Sequence, residues 1–230
     1  MEMFLNNFTI IETILRDRAS FFAAIRDNID LWTKIEAMLV SCITFFAIYG
    51  MVMGASHSPI QSVVSLVKLP ILFIVTLIIC APSLYFFNLL FGSKQTLGQN
   101  ISLILTAISV TGVLLLSFAP VTFFFLITTR QYAFFKLLNV VFFIIAGGLG
   151  LVFLRAGMIA TTDPHNMQGI GTRRLIFFLW ILLYAFVGSQ MAWTLSPYMG
   201  DPQLPFILFT QPGGNFYSDV FNSIRQLLGH

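Results

Sequence analysis

Charged residues divide the middle of the chain into five uncharged stretches, 37–67, 69–93, 95–129, 137–154 and 175–200. Each supplies the roughly 20 apolar residues that an α-helix needs to cross the hydrocarbon core of a bilayer. The pattern predicts an all-α integral membrane protein, a bundle of five transmembrane helices within 34–196. The spans fall near 35–54, 68–92, 100–128, 132–157 and 173–196. Thr33 and Glu36 have the spacing of a capping box and are expected to start the first span. The segment 56–65, with His57 and Pro59, reads as a connector, and 129–131 as a tight turn. The longest internal loop is 159–172.

The two ends carry a different pattern. In 1–33, Phe4, Phe8, Ile11, Leu15, Phe22, Ile25, Ile29 and Trp32 recur at helical spacing, with charges between them. One or two amphipathic helices are expected there, broken near Ser20, which could cap the second. They lie either along the membrane surface or on the protein's own cytoplasmic loops. The tail, 197–230, is rich in Pro and Gly and then places Tyr217, Val220, Phe221, Ile224, Leu227 and Leu228 on one helical face. That spacing predicts a short helix on the membrane surface or on a neighbouring subunit.

Composition narrows the class. Hydrophobic residues make up 57% of the chain and charged residues 9%, against about 25% charged in a soluble domain. No separate globular enzyme fits in what remains, and the start lacks the pattern of a cleavable signal peptide, so the first span is expected to direct insertion. The net charge of +3 is not clustered, which argues against a nucleic-acid partner. Its distribution matters more. Eight basic residues (Arg16, Arg18, Arg26, Lys34, Lys94, Arg155, Arg173 and Arg174) fall on one side of a five-span topology, and four (Lys68, Arg130, Lys136 and Arg225) on the other. Basic residues resist translocation, so the N-terminus is expected in the cytoplasm and the C-terminal tail outside.

Candidate chemistry is sparse. Not one Asp or Glu lies between Glu36 and Asp163, which argues against proton- or cation-coupled transport through an intramembrane carboxylate. His57, His165 and His230 lie on separate loops without metal-ligand spacing, so neither a metal nor a cofactor is expected. Asp163 and His165 share a loop that reads more simply as a polar turn. Cys42 and Cys80 fall inside spans, where they act as small packing residues. Gly50-x-x-x-Gly54, Ala146-x-x-x-Gly150 and Gly188-x-x-x-Ala192 have the spacing that lets helix backbones approach closely, within the bundle or between subunits. Ser102, Thr106, Ser109 and Ser117 form a hydroxyl stripe on the third span that packs against neighbours or lines a wet path. Asn88, Asn139 and Gln190 are the strongest intramembrane hydrogen-bonding groups, and Gln190, deeper than the other two, is the preferred candidate for an inter-helix contact. Pro82 and Pro120 are candidates for kinks. Lys68, Arg130 and Lys136 are placed to snorkel toward lipid phosphates or to hold an anion, and Arg155, Arg173 and Arg174 to meet anionic headgroups.

Lys68-Leu69-Pro70 leading into span two, with the five-span plan, resembles the Yip (Rab-interacting) superfamily and its bacterial relatives. Lys136-Leu137-Leu138-Asn139-Val140, Gly188-Ser189-Gln190-Met191-Ala192-Trp193 and Gly214-Asn215-Phe216-Tyr217 are similar to a group of bacterial membrane proteins, some labelled actin-binding. The Asp-Leu-Tyr-Gly-Pro signature of eukaryotic Yip proteins is missing, as is a basic actin-binding tetrapeptide, so neither trafficking nor actin binding is implied. The expected function is that of a non-enzymatic structural subunit or scaffold. Its partners would be membrane lipids and further copies or other membrane subunits. The alternative is a channel or transporter for a neutral or anionic solute.

Overall fold

A computed structural model describes residues 2–90, 95–129, 131–161, 170–200, 205–210 and 214–228 and, within these, all side chains except those of 2–8, 88, 90, 170–174 and 176. Among the described residues there is no strand. Two short helices, α1 (Glu2–Arg16) and α2 (Arg18–Arg26), precede α3 (Leu31–Gly54), α4 (Pro59–Leu90), α5 (Leu97–Thr128), α6 (Tyr132–Ala160) and α7 (Ile170–Thr194). A last helix, α8 (Phe216–Leu227), follows the tail. Helices α3 to α7 are each long and apolar enough to cross a membrane.

The distribution of side chains supports that reading independently of hydropathy. Buried positions include Ser41, Gln61, Ser65, Lys68, Thr76, Ser102, Thr106, Ser109, Thr122 and Asn139, whereas Ile78, Phe86, Phe124, Ile144, Val152 and Phe178 are exposed. A water-soluble protein does not bury its polar groups while exposing Ile and Phe along every long helix. A lipid-facing bundle does. It has no water inside to satisfy hydroxyls, and its outer surface touches hydrocarbon.

The chain divides into two compact units: 1–42, 75–111 and 147–185 form the first, and 43–74, 112–146 and 186–230 the second. The first unit takes the N-terminal halves of α3, α5 and α7 and the C-terminal halves of α4 and α6.

In the first unit, α2 packs on the ends of α5 and α6. Phe21, Phe22 and Ile25 are buried, and a Cβ at Gly157 would lie 2.7 Å from both the Phe22 ring and Leu103. The Gln99 amide donates to the carbonyls of Ile25 (3.2 Å) and Arg26 (2.8 Å), and Gln95 donates to Thr161 Oγ1 at 2.6 Å. Of the two seats left open for the N-terminal helices, α2 takes the one on protein. The break before it is at Asp17, not Ser20. Asp17 is the N-cap, its carboxylate accepting from the Ser20 amide at 3.2 Å. The expected start of α3 also moves. Asn28 and Asp30 adopt positive φ, which Asn and Asp tolerate, so the chain reverses at 27–30 and α3 begins at Leu31. Thr33 and Glu36 therefore sit inside the helix instead of capping it. A reciprocal capping box does exist at Thr96 and Gln99, before α5.

The largest departure is at 56–65. Helix α4 begins at Pro59, some nine residues before the expected span, and its 32 residues extend for about 48 Å. Ser58 Oγ accepts from the Gln61 amide at 3.2 Å, and Pro59 occupies the first helical position, where its missing N–H costs nothing. The supposed connector is a capped helix start.

Two glycines let that extension sit against α3. A Cβ at Gly50 would collide with the Ser65 carbonyl, and one at Gly54 would lie 2.5 Å from that of Gln61. In the first unit, a Cβ at Gly150 would collide with Thr111 and lie 2.6 Å from the Ala107 carbonyl. Ala146 is fully buried. Gly147 and Gly148 have open space around them. Gly50→Ala should therefore destabilise the protein by about 1–3 kcal/mol, because only backbone can give way. Gly148→Ala should be neutral or stabilise by up to ~1 kcal/mol through helix propensity. Thermal unfolding of the two variants in one detergent checks the contrast; equal melting temperatures would refute it.

Candidate functional site

Extending α4 outward to Pro59 creates a polar stripe of which the charge pattern marks only Lys68. Gln61, Ser65 and Lys68, spaced i, i+4 and i+7, share one face of the helix, and all three are buried. Opposite them lies the segment after α7. It is closed into a loop where Thr210 N donates to the Ser196 carbonyl at 2.9 Å and the two side-chain hydroxyls meet at 2.9 Å. The stripe takes hold of the carbonyls this loop presents. Gln61 Nε2 donates to Pro197 O at 2.8 Å, and Ser65 Oγ to Tyr198 O at 2.6 Å. Lys68 Nζ donates to Pro197 O at 3.4 Å and, more closely, to Leu208 O. From α6, the Tyr132 hydroxyl adds a bond to Met199 O at 3.2 Å.

Non-helical backbone beside a membrane helix needs such partners, because its carbonyls have no i+4 amide of their own. Lys68 suits the role. An ammonium has three donors and no acceptor, and it is only 5% exposed. The Phe209 ring lies 4.5 Å from its nitrogen, adding the negative face of an aromatic ring to the two carbonyl dipoles. Burial in the same region pushes the Tyr198 phenol up, and its hydroxyl has no hydrogen-bond partner among the described residues. His57 packs against the loop at Gly200, where a Cβ would lie 2.5 Å from the imidazole.

Lys136 is also turned onto the tail. It forms an ion pair with Asp219 of α8, with both side chains largely covered. Arg155 is exposed near the end of α6. Arg130 lies outside the described residues, as do the side chains of Arg173 and Arg174 and the Asp163–His165 loop. Lys68 and Lys136 are therefore engaged with the chain itself. They are not side chains reaching outward for phosphate.

The hydroxyl stripe on α5 splits. Ser102, Thr106 and Ser109 are fully buried. Ser109 Oγ meets Cys42 Sγ at 3.2 Å, and Thr106 Oγ1 donates to the Ser102 carbonyl at 2.7 Å with Met38 Sδ at 3.6 Å. The Ser102 hydroxyl is buried with no partner among the described residues. Ser117 is exposed and bonds its own helix. Gln190 is half-buried and makes no side-chain hydrogen bond to another described residue; Gly188 and Ala192 are half-buried beside it. The inter-helix role expected of Gln190 is filled by Asn139. Asn139 Oδ1 accepts from the Tyr49 hydroxyl at 2.7 Å, and that hydroxyl lies 3.3 Å from Thr122 Oγ1, so one buried cluster links α3, α5 and α6. Tyr49 carries no sequence signal for this, since an isolated Tyr in an apolar run reads as packing. Trp180 makes a second link, its indole donating to Cys80 O (3.2 Å) and Ser83 Oγ (3.1 Å) from α7 to α4. Among the described residues, no cluster of His, Cys, Asp or Glu could hold a metal.

Lys68→Met keeps the bulk of the side chain and removes its donors, leaving the Leu208 carbonyl without this partner. A hydrogen bond from a charged group contributes about 1.5–3 kcal/mol. Amide hydrogen exchange across the loop around 205–210 should then accelerate by about tenfold or more, with α3 and α5 unchanged. Unchanged exchange in the loop would refute the clamp. Tyr49→Phe removes the hydroxyl that bonds both Asn139 and Thr122. At about 0.6–1.7 kcal/mol for a membrane hydrogen bond, the loss should lower stability by that amount or more, read as a lower melting temperature in detergent.

Comparison with protein-family models, with curated protein sequences and with solved structures gave no match.

Proposed function

We propose that this chain is a non-enzymatic structural subunit of a bacterial inner membrane. It would be a five-span scaffold with amphipathic helical segments at both ends, working through its helix surfaces and associating with lipids and with further copies or other membrane subunits. The observation that carries this reading is where the interior polar groups are spent. The Ser109 hydroxyl is taken up by Cys42 of α3, Thr106 bonds its own helix, Tyr49, Thr122 and Asn139 bond one another, and Lys68 bonds the tail. Groups satisfied in this way hold helices together and do not line a continuous wet path. Helix α7 is the natural contact surface for a partner. Among its described side chains only Trp180 is buried, whereas most of the first half of α5 is, so α7 has the most surface left to cover.

Orientation follows from the same charge count as before. The eight basic residues fall in the chain ranges of the first unit, with the N-terminus, and the four fall in those of the second, with the tail. The first unit is proposed to face the cytoplasm.

Purified protein reconstituted in liposomes should pass neither anions nor small neutral solutes. Robust flux that Ser109→Leu abolishes would replace the scaffold with a channel whose path follows α5. A single cysteine placed at Ser218 should react with an impermeant maleimide added outside intact cells. Labelling only after the cells are opened would overturn the orientation.

A further inference from the structure

Helix α8 presents three different sectors, and each has its own neighbour. Successive residues turn about 100° around a helix axis. Phe216, Asp219, Val220 and Ser223 face the bundle; Ser223 is buried, the others are half-buried, and Asp219 holds Lys136. Ser218, Asn222, Arg225 and Gln226 form an exposed polar sector. Between these two lie Tyr217, Phe221, Ile224 and Leu228, spaced by four, three and four residues, which are 51%, 60%, 40% and 69% exposed. A capping box between Asn215 and Ser218 defines the start of the helix, and the contacts of Asp219 with Lys136 and of Tyr217 with Ser189 fix which sector faces the bundle.

Depth identifies what covers the apolar sector. The Tyr217 hydroxyl meets Ser189 Oγ at 3.0 Å, and Ser189 lies five residues before the end of α7 at Thr194. Lys136, the partner of Asp219, lies four residues after the start of α6 at Tyr132. At 1.5 Å per residue, both partners lie about 6–8 Å inside the ends of two spans, so the first turn of α8 is anchored to positions within the spans and not beyond their ends. An interfacial helix buries its apolar face about 5–10 Å into the boundary between headgroups and acyl chains. A ridge of four side chains is also small beside the about 1,000 Å² that a stable protein interface needs.

We infer that α8 lies in the bilayer interface, with Tyr217, Phe221, Ile224 and Leu228 in lipid, the polar sector in water, and Asp219 and Tyr217 pinning it to α6 and α7. The inference rests on reading α6 and α7 as membrane spans, and the experiment separates the two. Nitroxide labels are introduced singly as Phe221→Cys, Gln226→Cys and Ile144→Cys, the last at an exposed position in the middle of α6. Cys42 and Cys80 are buried, and unlabelled protein gives the blank. In phosphatidylcholine–phosphatidylglycerol liposomes, the ratio of relaxation by oxygen to relaxation by a nickel chelate should be several-fold higher at 221 than at 226. It should be highest at 144. A label at 221 shielded from both agents would mean that protein covers the sector, and one open to nickel would mean water; either overturns the inference while an oxygen-rich 144 keeps the span reading. A nickel-accessible 144 would overturn both.

Discussion

A hydroxyl, amide or ammonium placed among apolar helices has no water to fall back on, so it must find its partner in protein. That constraint explains most of what distinguishes this structure from a generic bundle. Thr106, Thr111 and Ser117 return to carbonyls of their own helix. Tyr49, Asn139 and Trp180 reach other helices, and Gln61, Ser65 and Lys68 reach the carbonyls of a loop. Each solution trades solvent for geometry, and the bonds that reach another helix or the loop fix one element relative to another within its unit.

The same constraint gives the tail its form. The segment after α7 does not leave the bundle as a free chain. It curls back to bond itself at Ser196 and Thr210, and it is held by side chains of α4 and α6. The hold depends on the extra turns of α4 beyond the hydrophobic stretch, and those turns depend in turn on Gly50 and Gly54 admitting the α4 backbone. A glycine spacing in one helix thus positions a polar stripe in the next, which positions a loop far along the chain, as Gln61 and Pro197, 136 residues apart, illustrate. Close approach of backbones and satisfaction of polar groups are linked here as cause and consequence.

Aromatic packing fills the space these contacts define. Phe46 stacks on Phe73 with ring centroids 3.8 Å apart, Phe118 on Phe142 at 4.5 Å, and Tyr49 meets Phe143 edge-on at 5.8 Å. Large rings on facing helices give rigid contact area at little cost in rotamer freedom. Other Phe residues, such as Phe86, Phe124, Phe178 and Phe186, are exposed on the helix surfaces. An abundance of Phe therefore serves two surfaces with different neighbours, and composition does not distinguish them.

The amino-acid sequence by itself determined the number of long apolar helices, their approximate limits, and the existence of short helices before and after them. Hydrophobic length and periodicity are local properties, and a local property can be read from one segment. The start of α4 was legible too, in Ser58, Pro59 and Gln61, but a proline beside a histidine reads first as a loop. Only the tertiary structure decided which polar residues matter. Tyr49 and Asn139 are 90 residues apart, and Lys68 binds carbonyls, which every residue has and no sequence pattern marks. It also decided that Lys136 meets Asp219 and that Ser109 faces Cys42. The reason is physical: the need to satisfy a buried polar group is written in its residue type, but the identity of the partner is set by which backbones the packing brings within hydrogen-bond reach.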